Sequence, residues 1–304
     1  MSEGPATVRS FVLTATFTGA ILAFAGTTLY WARVTDSVGT FYLVRLADLN
    51  RVEAPIAVVW LVLAAGGALA GRDASPWGSA IRTVTVVFAT MGAFFPLGLT
   101  LAADGAQVLG HAAVTDNSAL VRAERVLPDT GCLLFVLGLT LIAVGAGAAE
   151  VAARGVRLEA SRPGGRPIVH RLLFVPALIV AVGAAAIPWY DAGAADEGGP
   201  PRSADVQLWL DVFRAGLAVC LVITALALIR RRQAPAFRLL GLIVGSAVAV
   251  MLLSGYVALW RQPLLSYATG RIGLGYHLGL VAMLLLTASF LALPPEVPAE
   301  QEVA

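Results

Sequence analysis

The chain contains no lysine: all 21 of its basic residues are arginine. Asparagine occurs only at Asn50 and Asn117, and cysteine only at Cys132 and Cys220. Charged residues make up 13% of the 304 positions, against about 25% in an ordinary soluble domain. So little charge, at a net of +2, excludes a disordered chain and a nucleic-acid-binding module. The two cysteines lie inside apolar runs without a C-x-x-C spacing, so they read as small packed hydrophobes rather than a bridge. The lack of lysine beside abundant Ala, Gly and Arg reads as a coding bias and carries no chemistry.

Catalytic signatures are missing as well. There is no nucleophile elbow G-x-S-x-G, no Walker A loop, and no G-x-G-x-x-G after a strand. The stretch Gly270-Arg271-Ile272-Gly273-Leu274-Gly275 is rich in glycine but opens an apolar run, with no strand expected before it. Three histidines, His111, His170 and His277, form no cluster with cysteine, which argues against zinc. No cofactor is expected.

What the sequence has is apolar length. Hydrophobic residues are 58% of the chain and the mean hydropathy is +0.82. A hydrocarbon core of about 30 Å is crossed by about 20 mostly apolar helical residues. Eight windows qualify, near 11–31, 54–71, 83–103, 131–152, 172–190, 207–229, 238–260 and 273–293. The first has no small-residue cleavage site before Arg33 and reads as a retained span rather than a removed signal peptide. The expected fold is all-α: a polytopic integral membrane protein of about eight transmembrane helices.

Arginine sets the orientation. With the N-terminus inside, twelve arginines fall on the inner side and nine on the outer. The two densest groups, Arg154–Arg171 and Arg230–Arg232, share the inner side in short loops, where the positive-inside bias counts most. Both termini are then cytoplasmic, in the cytoplasmic membrane. That topology puts His170 and His277 about a bilayer apart, which excludes a bis-histidine haem between them.

The Pro/Gly/Arg-rich segment Ser161-Arg162-Pro163-Gly164-Gly165-Arg166-Pro167 breaks helices and marks an internal boundary. It divides the chain into a first four-helix unit (1–155), a linker (156–168) and a second four-helix unit (169–304) with a short acidic tail. The halves share a rhythm. Aromatics close the first span of each, at Tyr30-Trp31 and Pro188-Trp189-Tyr190. Mixed charges open the second, at Arg51-Val52-Glu53 and Asp211-Val212-Phe213-Arg214. A Pro-containing turn follows, at Ser75-Pro76-Trp77 and Gln233-Ala234-Pro235, and the last spans share Leu137-Gly138-Leu139 and Leu278-Gly279-Leu280. This predicts an internal repeat of parallel orientation, because an even number of spans returns each half to its starting face. In that alignment His277 stands opposite Val136.

Helices in lipid associate through close packing and interhelical hydrogen bonds rather than apolar burial. Glycines suit such packing, and Gly241-x-x-x-Gly245 is expected to seat a neighbouring helix of the same chain rather than a second copy. Five tryptophans, Trp31, Trp77, Trp189, Trp209 and Trp260, fall near span ends as an interfacial belt, whereas Trp60 lies inside the second span.

Charge deep in the bilayer would mark a proton or ion path. Arg82, Glu150, Asp211, Arg214 and His277 instead fall within about two turns of a predicted span end. The candidate site is therefore the outer face, at Arg51, Glu53, Asp211, Arg214 and His277. The pairs Arg51/Glu53 and Asp211/Arg214 occupy equivalent places, and three residues' separation lets the second pair share a helix face. The leading expectation is a non-catalytic membrane subunit or scaffold. It would contact lipid and a membrane protein partner or a second copy, and no nucleic acid. A carrier of a lipid or other apolar solute ranks second. Third comes an enzyme acting on lipid-linked substrates at the outer face.

Overall fold

A computed structural model of the chain describes residues 5–49, 53–71, 75–101, 107–112, 118–122, 124–158, 167–191, 203–229, 234–261 and 271–291. Helices dominate: α1 (Pro5–Thr28), the short α2 (Leu46–Leu49), α3 (Glu53–Ala70), α4 (Pro76–Leu101), α5 (Thr130–Leu158), α6 (Pro167–Ala186), α7 (Ser203–Ile229), α8 (Ala234–Arg261) and α9 (Leu274–Leu291). Each apolar window is occupied by one of them. Six are long and apolar enough to cross a membrane; α3 and α6 hold the shorter apolar stretches Ala54–Ala70 and Leu172–Ala186. The chain is a multi-pass membrane protein, and in hydrocarbon a helix is the way one segment satisfies its own backbone.

The chain separates into two compact units, Met1–Glu150 and Val151–Ala304. In the first, α1 and α5 meet backbone to backbone. Gly131, Gly138 and Gly145 recur every two turns along α5, against Gly26, Gly19 and Ala15 of α1. At the first two there is no room for a Cβ. Trp60 of α3 lies flat on Phe88 of α4 (4.6 Å between rings) and donates its indole N–H to the Phe88 carbonyl at 2.7 Å. Gly92 makes the space for that ring. Ser75 caps α4 by accepting the Gly78 amide, with Pro76 at the first helical position.

Between these helices the chain builds strands that the sequence reading left as loops: β1 (Tyr30–Thr35), β2 (Phe41–Arg45), β3 (Gln107–Ala112), β4 (Ser118–Arg122) and β5 (Arg125–Pro128). They form one antiparallel sheet in the order β4-β3-β2-β1-β5. The β1–β2 turn is held by Asp36, whose carboxylate accepts the Val38 and Thr40 amides at 3.0 and 2.8 Å. Gly39, at φ +83°, takes the left-handed conformation the turn needs. A bulge at Trp31 breaks the register between Tyr30 and Ala32. It turns two successive residues, Trp31 and Ala32, inward while Tyr30 and Arg33 stay exposed.

The second unit carries a smaller sheet. A pair of two-residue strands, β6 (Tyr190–Asp191) and β7 (Arg271–Ile272), joins the end of α6 to the start of α9. The glycine-rich segment itself contains a strand, Arg271–Ile272, whose backbone pairs with Tyr190–Asp191. Gly275 then approaches the Ile187 and Pro188 carbonyls too closely to admit a Cβ. Gly241 and Gly245 of α8 are filled by Phe290 and Thr287 of α9. The G-x-x-x-G is thus a seat within the unit.

Candidate functional site

Of the five residues the sequence nominated, Arg51 lies outside the described residues. Glu53 opens α3, but its side chain is also outside them. Asp211 and Arg214 do share a face of α7, with Nη1 3.8 Å from Oδ1, and Gln207 donates to the same Asp211 oxygen at 2.8 Å. More than half of each charged side chain is exposed (59% and 53%), so the pair contributes little to stability. His277, at the start of α9, is exposed and meets the edge of Tyr256 with ring centroids 5.6 Å apart. Nothing described joins His277 to the Asp211/Arg214 pair. Among the described residues no three His, Cys, Asp or Glu side chains gather as metal ligands.

Two other features, both in the first unit, stand out. One is buried. Arg82 of α4 and Glu150 of α5 form an ion pair, Nε to Oε2 at 2.8 Å, with both residues buried. Ser79 donates to the other Glu150 oxygen at 2.5 Å, and an Arg82 Nη1 donates to the Gly71 carbonyl just past the end of α3. Three helix ends are tied by one guanidinium and one carboxylate. The sequence placed both residues near span ends but gave no sign that they meet, since they are 68 positions apart.

The other is a surface. The strand register aligns Leu127, Arg33, Leu43, His111 and Ser118 in one row across all five strands. Residues two apart on a strand share a face. Arg45 on β2, Arg122 on β4 and Arg125 on β5 therefore lie on the same side as Arg33. All four arginines are exposed, as are Phe41 and Leu127. The opposite side holds Trp31, Val34, Val44, Val121 and Val126, all buried. Trp31 anchors it to the helices: its indole donates to the Thr100 hydroxyl at 2.9 Å and its ring meets Phe135 of α5 at 5.3 Å. Arg33 reaches Asp129 at 3.6 Å, and Arg45 lies over the Tyr30 ring at 5.4 Å.

At the rim, the Thr40 amide foremost, then those of Val38 and Gly39, hold the Asp36 carboxyl below the usual carboxylate range. Residue by residue these segments carry the strand signal of β-branched and aromatic types flanking an Asp/Gly turn. What the sequence lacked was long-range pairing, which puts arginines from positions 33 to 125 on one face. The sequence matches no protein-family model, no curated protein and no solved structure.

Proposed function

We propose that the chain is a non-catalytic integral subunit or scaffold of the cytoplasmic membrane that packs against partner proteins. It crosses eight times, as two four-helix repeats with both termini inside. The observation that carries the reading is how the buried polar side chains are used. Thr16, Thr90, Thr100, Thr224 and Ser246 each donate to a carbonyl one turn back on their own helix. Arg82 and Glu150 neutralise each other while tying three helices. Tyr276 of α9 donates to the Leu252 carbonyl of α8. These groups are engaged in holding helices, the pattern of a framework rather than of a polar path.

The repeat finds support in one joint common to both units. The Trp31 carbonyl accepts the amide of Asp129, the residue before Thr130 at the start of α5; the Trp189 carbonyl accepts that of Gly273, the residue before Leu274 at the start of α9. Matched on this joint, Gly131 corresponds to Gly275, and His277 stands opposite Leu133 rather than Val136. The shared Leu-Gly-Leu is then a compositional coincidence one turn out of step. Gly138 seats α1, whereas Gly279 seats the Trp189 ring.

Gentle detergent extraction of the native protein, followed by mass spectrometry of co-purifying chains, tests the reading. A second membrane protein in fixed ratio is the expected result. A chain that runs alone at every detergent strength sinks it.

A further inference from the structure

We propose that the arginine face of the five-stranded sheet docks an acidic segment of a partner protein. This rests on the scaffold reading and names the chemistry of one of its contacts. Arg33, Arg45, Arg122 and Arg125 come from four strands and emerge on one side of the sheet. On the paired positions of that face no carboxylate occurs; the acids Asp36, Glu124 and Asp129 sit in the connections at its rim. The face therefore offers guanidinium forks suited to bidentate carboxylate recognition.

Phe41 and Leu127, exposed at 58% and 40%, interleave with them and add apolar contact. Arginine beside aromatic and aliphatic groups is the composition that concentrates binding energy at protein interfaces. The sheet's other side is bound to the helices through Trp31, Thr100 and Phe135. The arginines thus lie on the side of the sheet opposite its attachment to the helices. Guanidinium forks interleaved with exposed Phe41 and Leu127 favour a protein segment, and the vesicle arm of the test separates it from anionic lipid. The Arg33–Asp129 pair is exchangeable, at 3.6 Å with the Arg33 side chain 52% exposed.

The test uses the full chain in nanodiscs of neutral lipid, titrated with a fluorescent oligoglutamate peptide, an oligoglutamine peptide, and phosphatidylglycerol vesicles. Oligoglutamate should bind, weaken as salt is raised, and lose about tenfold or more in affinity when Arg33, Arg45, Arg122 and Arg125 are all changed to Glu. Should that variant fail to fold, Arg122→Gln with Arg125→Gln decides, with a loss of roughly threefold or more expected at an unchanged Tm. Oligoglutamate binding that is absent, equalled by oligoglutamine, or undiminished in the folded variants overturns the proposal. So does binding of the vesicles alone. The scaffold reading fails separately: a partner that co-purifies with a chain unable to hold oligoglutamate leaves that reading standing and removes this inference. A chain that binds the peptide yet purifies alone does the reverse.

Discussion

Trp31 and Trp189 occupy the same joint and use it differently. Each follows the first helix of its unit, and each accepts, at its carbonyl, the amide of the residue before the last helix, at 2.9 and 2.8 Å. Each turns its ring inward, Trp31 onto Phe135, and Trp189 onto Phe213 and Tyr276. The indole of Trp31 reaches across to Thr100 on α4, whereas that of Trp189 caps the Ala184 carbonyl on the helix it has just left. A five-stranded sheet lies beside the first contact and a two-stranded one beside the second. The backbone contact is thus common to both units, and the larger sheet occurs in one. Stability should depend on the joint in both units, and surface recognition on the sheet in one.

The units differ most in buried charge, so the largest effect is expected there. Arg82→Ala leaves Glu150 buried without its partner and should cost about 3–5 kcal/mol of unfolding free energy. Arg82→Met with Glu150→Leu should recover most of the loss, as read by denaturant unfolding in micelles. A double variant no more stable than the single would show that the pair is not what ties these helices.

Close backbone approach comes next. Gly138→Val in the first unit and Gly275→Val in the second each force helices apart and should cost about 1–3 kcal/mol. Gly66→Ala and Gly183→Ala meet nothing within 4 Å and should be neutral or slightly stabilising. Equal losses at all four would refute the packing described for both units.

Removing one indole donor separates the joints more finely. Trp31→Phe strands the Thr100 hydroxyl's acceptor site and Trp189→Phe a helix-end carbonyl, each about 1 kcal/mol by thermal unfolding. A larger loss from Trp31→Phe is expected, because its bond joins two elements rather than closing one.

The smallest effect is local. Asp36 is held below its ordinary pKa by the Thr40 amide first. Its contribution to the turn is therefore present above the unfolded value of about 3.9 and fades as pH falls through the lower folded value. Amide exchange at Thr40 should accelerate on acidification across that range. In Asp36→Asn it should be fast already and insensitive to pH over that interval.

How much was legible follows from the range of each signal. Apolar length is local, so every long helix was foreseen, as was the packing seat at Gly241 and Gly245; the four-residue α2 was not. The i,i+3 pair Asp211/Arg214 was visible for the same reason. Strands at Tyr30–Thr35 and Phe41–Arg45 carried local marks, yet short amphipathic stretches beside long apolar runs are easily read as loop. The Arg82–Glu150 pair and the arginine face depend on partners 68 and up to 92 positions apart, which no single window displays.

The bulge at Trp31 sets the phase of β1. Alternation has a period of two, and in this strand one extra residue resets it. Deleting Ala32 would remove the bulge and leave Tyr30, Trp31, Arg33 and Val34 in plain alternation, whereas one residue added between Arg33 and Val34 would expel Val34 into water and invert the strand beyond it. Adding residues between Asp36 and Thr40 would merely lengthen a loop. Natural variation in chain length should therefore accumulate at the hairpin tip and at the bulge, and avoid the positions between them.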